Sequence, residues 1–269
     1  CLAPSPCPHL LVDHTEYLSI LRRLRAIPGV KKVFIRSGIR YDYLVWDPDE
    51  SFFRELVKHH VSGQLKVAPE HCAPGTLAAM GKPPIEVYNR FSKRFYELTK
   101  QAGKQQYLVP YLMSSHPGST LKDAVILAEY LYKNHIRPEQ VQDFYPTPGT
   151  VSTCMYYTGL DPYTLKPIFV EKTAEGKAMQ RALLQYYEPR NAHKVAEALR
   201  KVHREDLIPL LAPAALRGQK KTVQPVLAPR QTTRKGNTPR NPVAVPWNKH
   251  KQGEKLWQKP AVPAKRKKR

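Results

Sequence analysis

Long apolar runs are missing from these 269 residues. None approaches the roughly 18 residues that a membrane-crossing helix needs, and no charged-then-apolar leader opens the chain. Neither membrane association of that kind nor secretion is expected. Cysteine is scarce: four residues, dispersed, are no disulfide scaffold and predict a reducing, cytoplasmic setting. Walker-type loops, a Ser-His-Asp order and paired-histidine zinc motifs are also absent. Acids almost vanish after Leu211. Residues 212–269 hold 16 of the 44 Lys/Arg but only one of the 22 Asp/Glu, Glu254, which leaves 28 bases against 21 acids elsewhere. The formal charge of +22 therefore belongs mainly to the tail. The first residue is Cys1 rather than Met, which predicts a processed protein or a piece of a longer one.

What is present is a strand–helix alternation. Tyr17, Ile20, Leu21 and Leu24 recur at helical spacing within 13–27, with Asp13 and Glu16 as a capping-box pattern, and Pro28-Gly29 ends the run. Val30 to Ile35 reads as a short buried strand. Asp47-Pro48-Asp49-Glu50 opens a second helix with the stripe Phe52, Phe53, Leu56 and Val57. Further strands are expected at 64–68, 106–113 and 141–145, and helices at 84–101 and 119–134. Such alternation signals right-handed βαβ units and a parallel sheet. Four strands amount to half of an eight-stranded barrel, or to a small open sheet. Residues 146–167 read as loop, and two short helices follow at 173–187 and 191–204. The expected organisation is an α/β half-barrel at 1–150, a helical extension at 151–211, and a disordered Lys/Arg/Pro-rich tail at 212–269.

Parallel α/β sheets place ligands at the C-terminal ends of their strands. The loops there contain Arg36-Ser37-Gly38, Pro69-Glu70-His71, Ser114 to Ser119 with His116 and Gly118, and Pro146 to Thr150. Converging on one face, they bring a cation, a carboxylate, imidazoles and hydroxyls together. Plainer readings stand beside this one. Arg36 could pair with a nearby acid, Glu70 could cap the turn near Thr76, His116 could be a turn residue, and Gly118-Ser119 could be a helix start. Cys1, Cys7, His9 and His14 gather soft ligands in a spacing that matches no common zinc pattern, so an auxiliary metal site at Cys1 and Cys7 stands against an ordinary loop. Cys72 and Cys154 read as unreactive.

Several motifs are long enough to carry a resemblance. The stretch from Val30 to Asp42, Leu65-Lys66-Val67-Ala68-Pro69-Glu70-His71, Met80-Gly81-Lys82-Pro83, Gln101 to Tyr111, Val141 to Pro146 and Met155 to Gly159 resemble the YgiQ-type radical S-adenosylmethionine (SAM) proteins. The likeness runs from about Cys1 to Ile208. It implies the C-terminal half of a partial TIM-type barrel. The family's barrel holds a [4Fe–4S] cluster on a C-x3-C-x2-C motif, and the cluster cleaves S-adenosylmethionine to start radical chemistry. That motif is absent here, which implies that an N-terminal half, in the same chain or a separate one, supplies the cluster ligands. The resemblance assigns Arg36, Ser37, Glu70, Ser114, His116 and Gly118 to the remaining wall of the cofactor pocket. Two other functions compete with this one. The basic tail, with Lys265 to Arg269 at its end and Trp247 and Trp257 for stacking, suits RNA. A non-functional remnant of a split gene is the other.

Overall fold

In the computed structural model, residues 7–138 and 141–217 are described. The Lys/Arg-rich stretch beyond Arg217, with the expectations of disorder and RNA binding placed on it, lies outside the described residues, as does Cys1.

Helix α1 (Thr15–Ala26) begins after Asp13, whose carboxylate accepts the Thr15 N–H at 2.7 Å; the expected Asp13/Glu16 capping box does not form. Leu18 and Leu21 face inward, whereas Tyr17, Ile20 and Leu24 remain partly exposed. After Gly29 (φ +85°) the chain through Val30 to Ile35 forms no strand, against expectation. It is pinned at separate points, by Ile35 N–H to His60 O (2.9 Å), His60 Nδ1 to Val33 O (2.8 Å) and Ile39 N–H to Lys66 O (3.3 Å). β-branched residues favour extension, but a strand also needs a continuous partner. A short α2 (Tyr41–Trp46), not foreseen, follows. The expected second helix is α3 (Ser51–Glu55), which loosens into one π-helical turn at Leu56–His60. All four residues of its stripe, Phe52, Phe53, Leu56 and Val57, are buried.

Strand β1 (Gln64–Glu70) leads to α4 (Pro74–Ala79) and α5 (Ile85–Gln101). The apolar face of α5, Tyr88, Phe91, Phe95 and Leu98, packs with α1, α3 and β1, and the Phe53 and Phe91 rings stack at 5.2 Å. Strand β2 (Tyr107–Ser114) pairs in parallel with β1, and α6 (Leu121–Lys133) follows behind a Thr120/Asp123 capping box. Strand β3 (Gln142–Asp143) adds only two residues to β2, also parallel. The fold is thus mixed α/β around a three-stranded parallel sheet in the order β1-β2-β3, one strand fewer than the sequence suggested.

The stretch 146–167, expected as loop, contains α7 (Val151–Thr158), started by the Thr150 hydroxyl accepting the Thr153 N–H at 3.2 Å. Helices α8 (Ala174–Leu184) and α9 (Ala192–Lys201) occupy the two expected helical positions. Helices α10 (Ile208–Leu211) and α11 (Pro213–Arg217) carry regular structure past residue 212, with Ala212 and Ala215 buried. The folded part therefore extends at least to Arg217, beyond the expected boundary. These helices and α6 share a second core built on Val125, Leu131, Leu183, Val195 and Leu199. No helix among the described residues is long and apolar enough to cross a membrane.

Candidate functional site

Two strand ends stand out. At the end of β1, Glu70 has φ +66°, and the His71 N–H closes back on Pro69 O at 2.8 Å, a three-residue turn with Glu70 at its strained centre. At the end of the neighbouring β2, Ser115 has φ +59°. Non-glycine residues at such angles cost about 1–3 kcal/mol each and persist where their surroundings dictate them. Both also hold a buried oxygen with no hydrogen-bond partner, Glu70 Oε2 and Ser115 Oγ, and Thr76 Oγ1 at the foot of α4 is in the same state.

The Glu70 carboxyl is pushed up from its ordinary range by burial, against the pull of Lys82, whose Nζ lies 3.7 Å from Oε1. Lys82 is itself held by Ala68 O at 2.9 Å. Glu70 does not cap α4, whose N-cap is Ala73 without a side-chain bond. Lys82→Met removes the one cation opposing burial and is expected to raise the Glu70 pKa further. A carboxyl-carbon NMR titration checks this, and an unchanged or lower value would refute the pairing.

Two buried imidazoles, His71 and His116, directly follow these strand ends. His71 Nδ1 accepts the Ala73 N–H at 3.0 Å, which puts the proton of the neutral ring on Nε2. Burial lowers its pKa to about 4. The His116 ring donates from Nδ1 to Pro117 O (2.7 Å), so Nε2 accepts from the Ser152 hydroxyl of α7 (2.8 Å). Burial lowers its pKa as well. Both are therefore neutral polar groups at pH 7.

Sequence reasoning missed the residue that organises the β2 end. Gln180 of α8 is fully buried; its Oε1 accepts the Ser115 N–H (3.0 Å) and the Ser119 hydroxyl (3.2 Å), and its Nε2 donates to Ser119 O (3.0 Å). A glutamine interrupting the apolar run Met179, Ala182, Leu183 was the signal available. Gln180→Ala is expected to cost about 2 kcal/mol in urea denaturation, since it strands buried donors and an acceptor. A change below half a kilocalorie would argue against this role. Asp143 was also missed. It accepts from Ser114 Oγ at 2.6 Å and pairs with Arg181 of α8 at 2.5 Å, so Ser114 is a cross-strand contact.

The remaining candidates are engaged differently. Arg36 and Ser37 are exposed, on a segment tied at His60 and Lys66, and no contact among the described residues joins them to the Glu70 cluster; nor does Arg36 pair with an acid. Gly118 packs its open side against Ala79 and Ile168, and its N–H donates to Phe169 O (2.7 Å). His14 is engaged by Asp47 at 2.5 Å and stacks on Phe52, and Cys7 is exposed. No group of three or more metal-ligating side chains occurs among the described residues. Burial raises the Cys72 thiol to about 12, so it is protonated and unreactive.

A UPF0313 protein of Clostridium perfringens is 59% identical to this chain over 208 residues, 77% of this chain and 31% of that protein. The relatives of this chain are UPF0313 proteins. Those of Clostridium botulinum strains Loch Maree and Kyoto are 59% and 58% identical over the same share of the chain and 32% of their own length. The chain thus spans about a third of the curated UPF0313 relatives it matches. A family described as a domain of unknown function, DUF3362, matches residues 139–263, which carries similarity into the basic stretch that the motif resemblance had left out.

Proposed function

We propose that this chain forms the C-terminal part of a cytoplasmic radical S-adenosylmethionine enzyme. It would complete a TIM-type half-barrel whose strand ends wall the cofactor and substrate pocket. One observation carries the reading: adjacent parallel strands end in Glu70 and Ser115, each in a left-handed conformation and each with a buried oxygen lacking a partner. Polar atoms buried without partners are costly, and those at strand ends suit a ligand that brings donors. The ammonium group and ribose hydroxyls of S-adenosylmethionine are such donors. Glu70 would hold the cation or a hydroxyl, Ser115 a second polar edge, and His116, braced by Ser152, would orient the loop that carries them.

The residues present do not fit the iron–sulfur cluster. Cys7 and Cys154 are exposed, Cys72 is buried, and none belongs to a three-ligand group among the described residues. Cluster ligands are assigned instead to another part of the longer protein, in keeping with the third of a UPF0313 relative that this chain spans. When bound, the cofactor supplies radical chemistry; the work of these residues is to bind and orient it.

The test is anaerobic reconstitution of the longer protein that carries this segment. Reduction is expected to release 5′-deoxyadenosine, with Glu70→Gln weakening S-adenosylmethionine binding. A colourless protein that forms none would end the proposal.

A further inference from the structure

At the opposite pole of the sheet, before β1 and β2 begin, lies a cavity of about 510 Å³ lined by Arg25, Lys31, Lys32, Lys58, Lys104 and His59. None of its lining residues is acidic. Arg25 is shared with Glu55 (3.0 Å), and Lys104 Nζ donates to Lys58 O, but Lys31, Lys32 and Lys58 have no carboxylate in ion-pair range among the described residues. Like charges gathered without counter-charges destabilise a fold by self-repulsion. Glu55, held by Arg22 and Arg25, is the one carboxylate paired with a lining cation among the described residues, and it does not line the cavity itself.

The backbone around the cavity is built rather than loose. The single π-helical turn Leu56–His60 turns Lys58 and His59 to the cavity, while Leu56, Val57 and His60 are buried. Such turns concentrate at functional sites. His60 Nδ1 donates to Val33 O (2.8 Å) and the Ile35 N–H donates to His60 O (2.9 Å), so both walls are tied together. The His60 Nε2 atom is buried without a partner. Gly63, at φ +120°, lets the chain turn from the cavity into β1. Phe34, partly exposed, offers one apolar face among the cations.

We infer that this cavity binds a small polyphosphorylated ligand, a di- or triphosphate group seated among Lys31, Lys32, Lys58 and Lys104. Its volume falls in the range of small-molecule sites, and several convergent cations favour a multiply charged anion over a single carboxylate. The site lies at the start of the strands and Glu70 at their end, so the inference does not depend on the proposed chemistry. A free polyphosphate and a nucleotide share this recognition, and Phe34 separates them by offering a surface for a base.

Isothermal titration of the full chain with inorganic tripolyphosphate and with a nucleoside triphosphate, in roughly physiological salt, tests this. Saturable one-to-one binding is expected. Lys32→Gln with Lys58→Gln should weaken it about tenfold or more, whereas Lys265→Gln, Lys267→Gln and Lys268→Gln in the tail should leave it unchanged. The double variant should melt no lower than the parent without ligand, since it relieves repulsion, and should lose the ligand-induced rise in Tm. Tighter nucleotide binding that Phe34→Ala abolishes identifies a base-bearing ligand; equal binding of both probes identifies the phosphate group alone. Absence of one-to-one binding, or affinity lost in the tail variant but kept in the cavity variant, would overturn the inference. So would binding of a single-stranded RNA but of neither small probe.

Discussion

Gly118→Ala is expected to destabilise the folded part of the chain by about 3 kcal/mol, with the strain and the crowding contributing comparably. Gly118 sits at φ +89°, where an L side chain is strained. A Cβ there would lie 2.8 Å from Ala79 Cβ, closer than such carbons approach, and 3.3 Å from Ile168 Cδ1, a tight contact. The Ile168 side chain can turn aside, but the Ala79 Cβ is fixed to the backbone at the end of α4, and the Gly118 N–H is held by Phe169 O. Gly75→Ala is the matched control. It lies inside α4 with nothing within 4 Å of its added Cβ, and is expected to be neutral or stabilising by up to about 1 kcal/mol. Adding Ala79→Gly to Gly118→Ala removes the contact but not the strained angle, so recovery should be partial. Urea midpoints of the four proteins decide it. Equal midpoints for Gly118→Ala and the parent would show that the loop shifts freely.

The same glycine shows what the sequence could and could not disclose. His116-Pro117-Gly118-Ser119 announces a turn between a strand and a helix, and the turn is there. Whether Gly118 served a ligand or a neighbouring helix depended on α4, far away in sequence, and the structure sets Ala79 against it. Long periodic elements were legible for the opposite reason. The helices expected at 84–101 and 119–134 rest on local periodicity, and each forms close to where it was read, as α5 and α6. Val30 to Ile35 failed because strand formation is decided by pairing, which no local pattern contains. Helix α7 was hidden in a stretch dominated by Pro, Gly and Thr, although Thr150 already supplied its cap.

The candidate site divides along the same line. Glu70 and the Ser114 to Gly118 loop follow directly from strands that do form, so their place at one sheet end was legible. Arg36 and Ser37 were placed by a strand that does not form, and they are held beside His60 and Lys66 instead. Gln180 lies 65 residues from the Ser115 N–H that it accepts. Only tertiary packing of α8 joins the two. The strain at Glu70 and Ser115 has no sequence signal at all, because neither is a residue type that favours positive φ.

Acid is expected to destabilise this protein before its ion-paired carboxylates titrate, with stability falling from about pH 6.5, the ordinary histidine value, toward pH 4. His71 stays neutral in the folded chain down to about pH 4 because burial outweighs the attraction of Asp123. Burial holds His116 and His60 low in the same direction, against the Pro117 and Val33 carbonyls that would support the protonated rings. Once unfolded, each ring takes up its proton near 6.5. Between the two values the unfolded state binds more protons, so the unfolding free energy drops as pH falls, and above 6.5 these rings exert no pull. His71 alone accounts for about 3 kcal/mol by pH 4. Glu70 works the other way, because its raised carboxyl takes up a proton in the folded state first, which lifts part of its burial cost. One carboxyl against three rings leaves the net slope toward loss. Carboxylates held low by ion pairs, such as Glu50 with Arg94 and Glu55 with Arg22, contribute only below their own unfolded values, in a lower window. Urea denaturation at pH 7.5, 6.0 and 5.0 reads the slope directly. His71→Asn keeps an acceptor for the Ala73 N–H but cannot titrate, so its slope should be clearly shallower. A parent chain equally stable at pH 7.5 and 5.0, or a variant with the same slope, would mean that the buried rings gain their protons without unfolding.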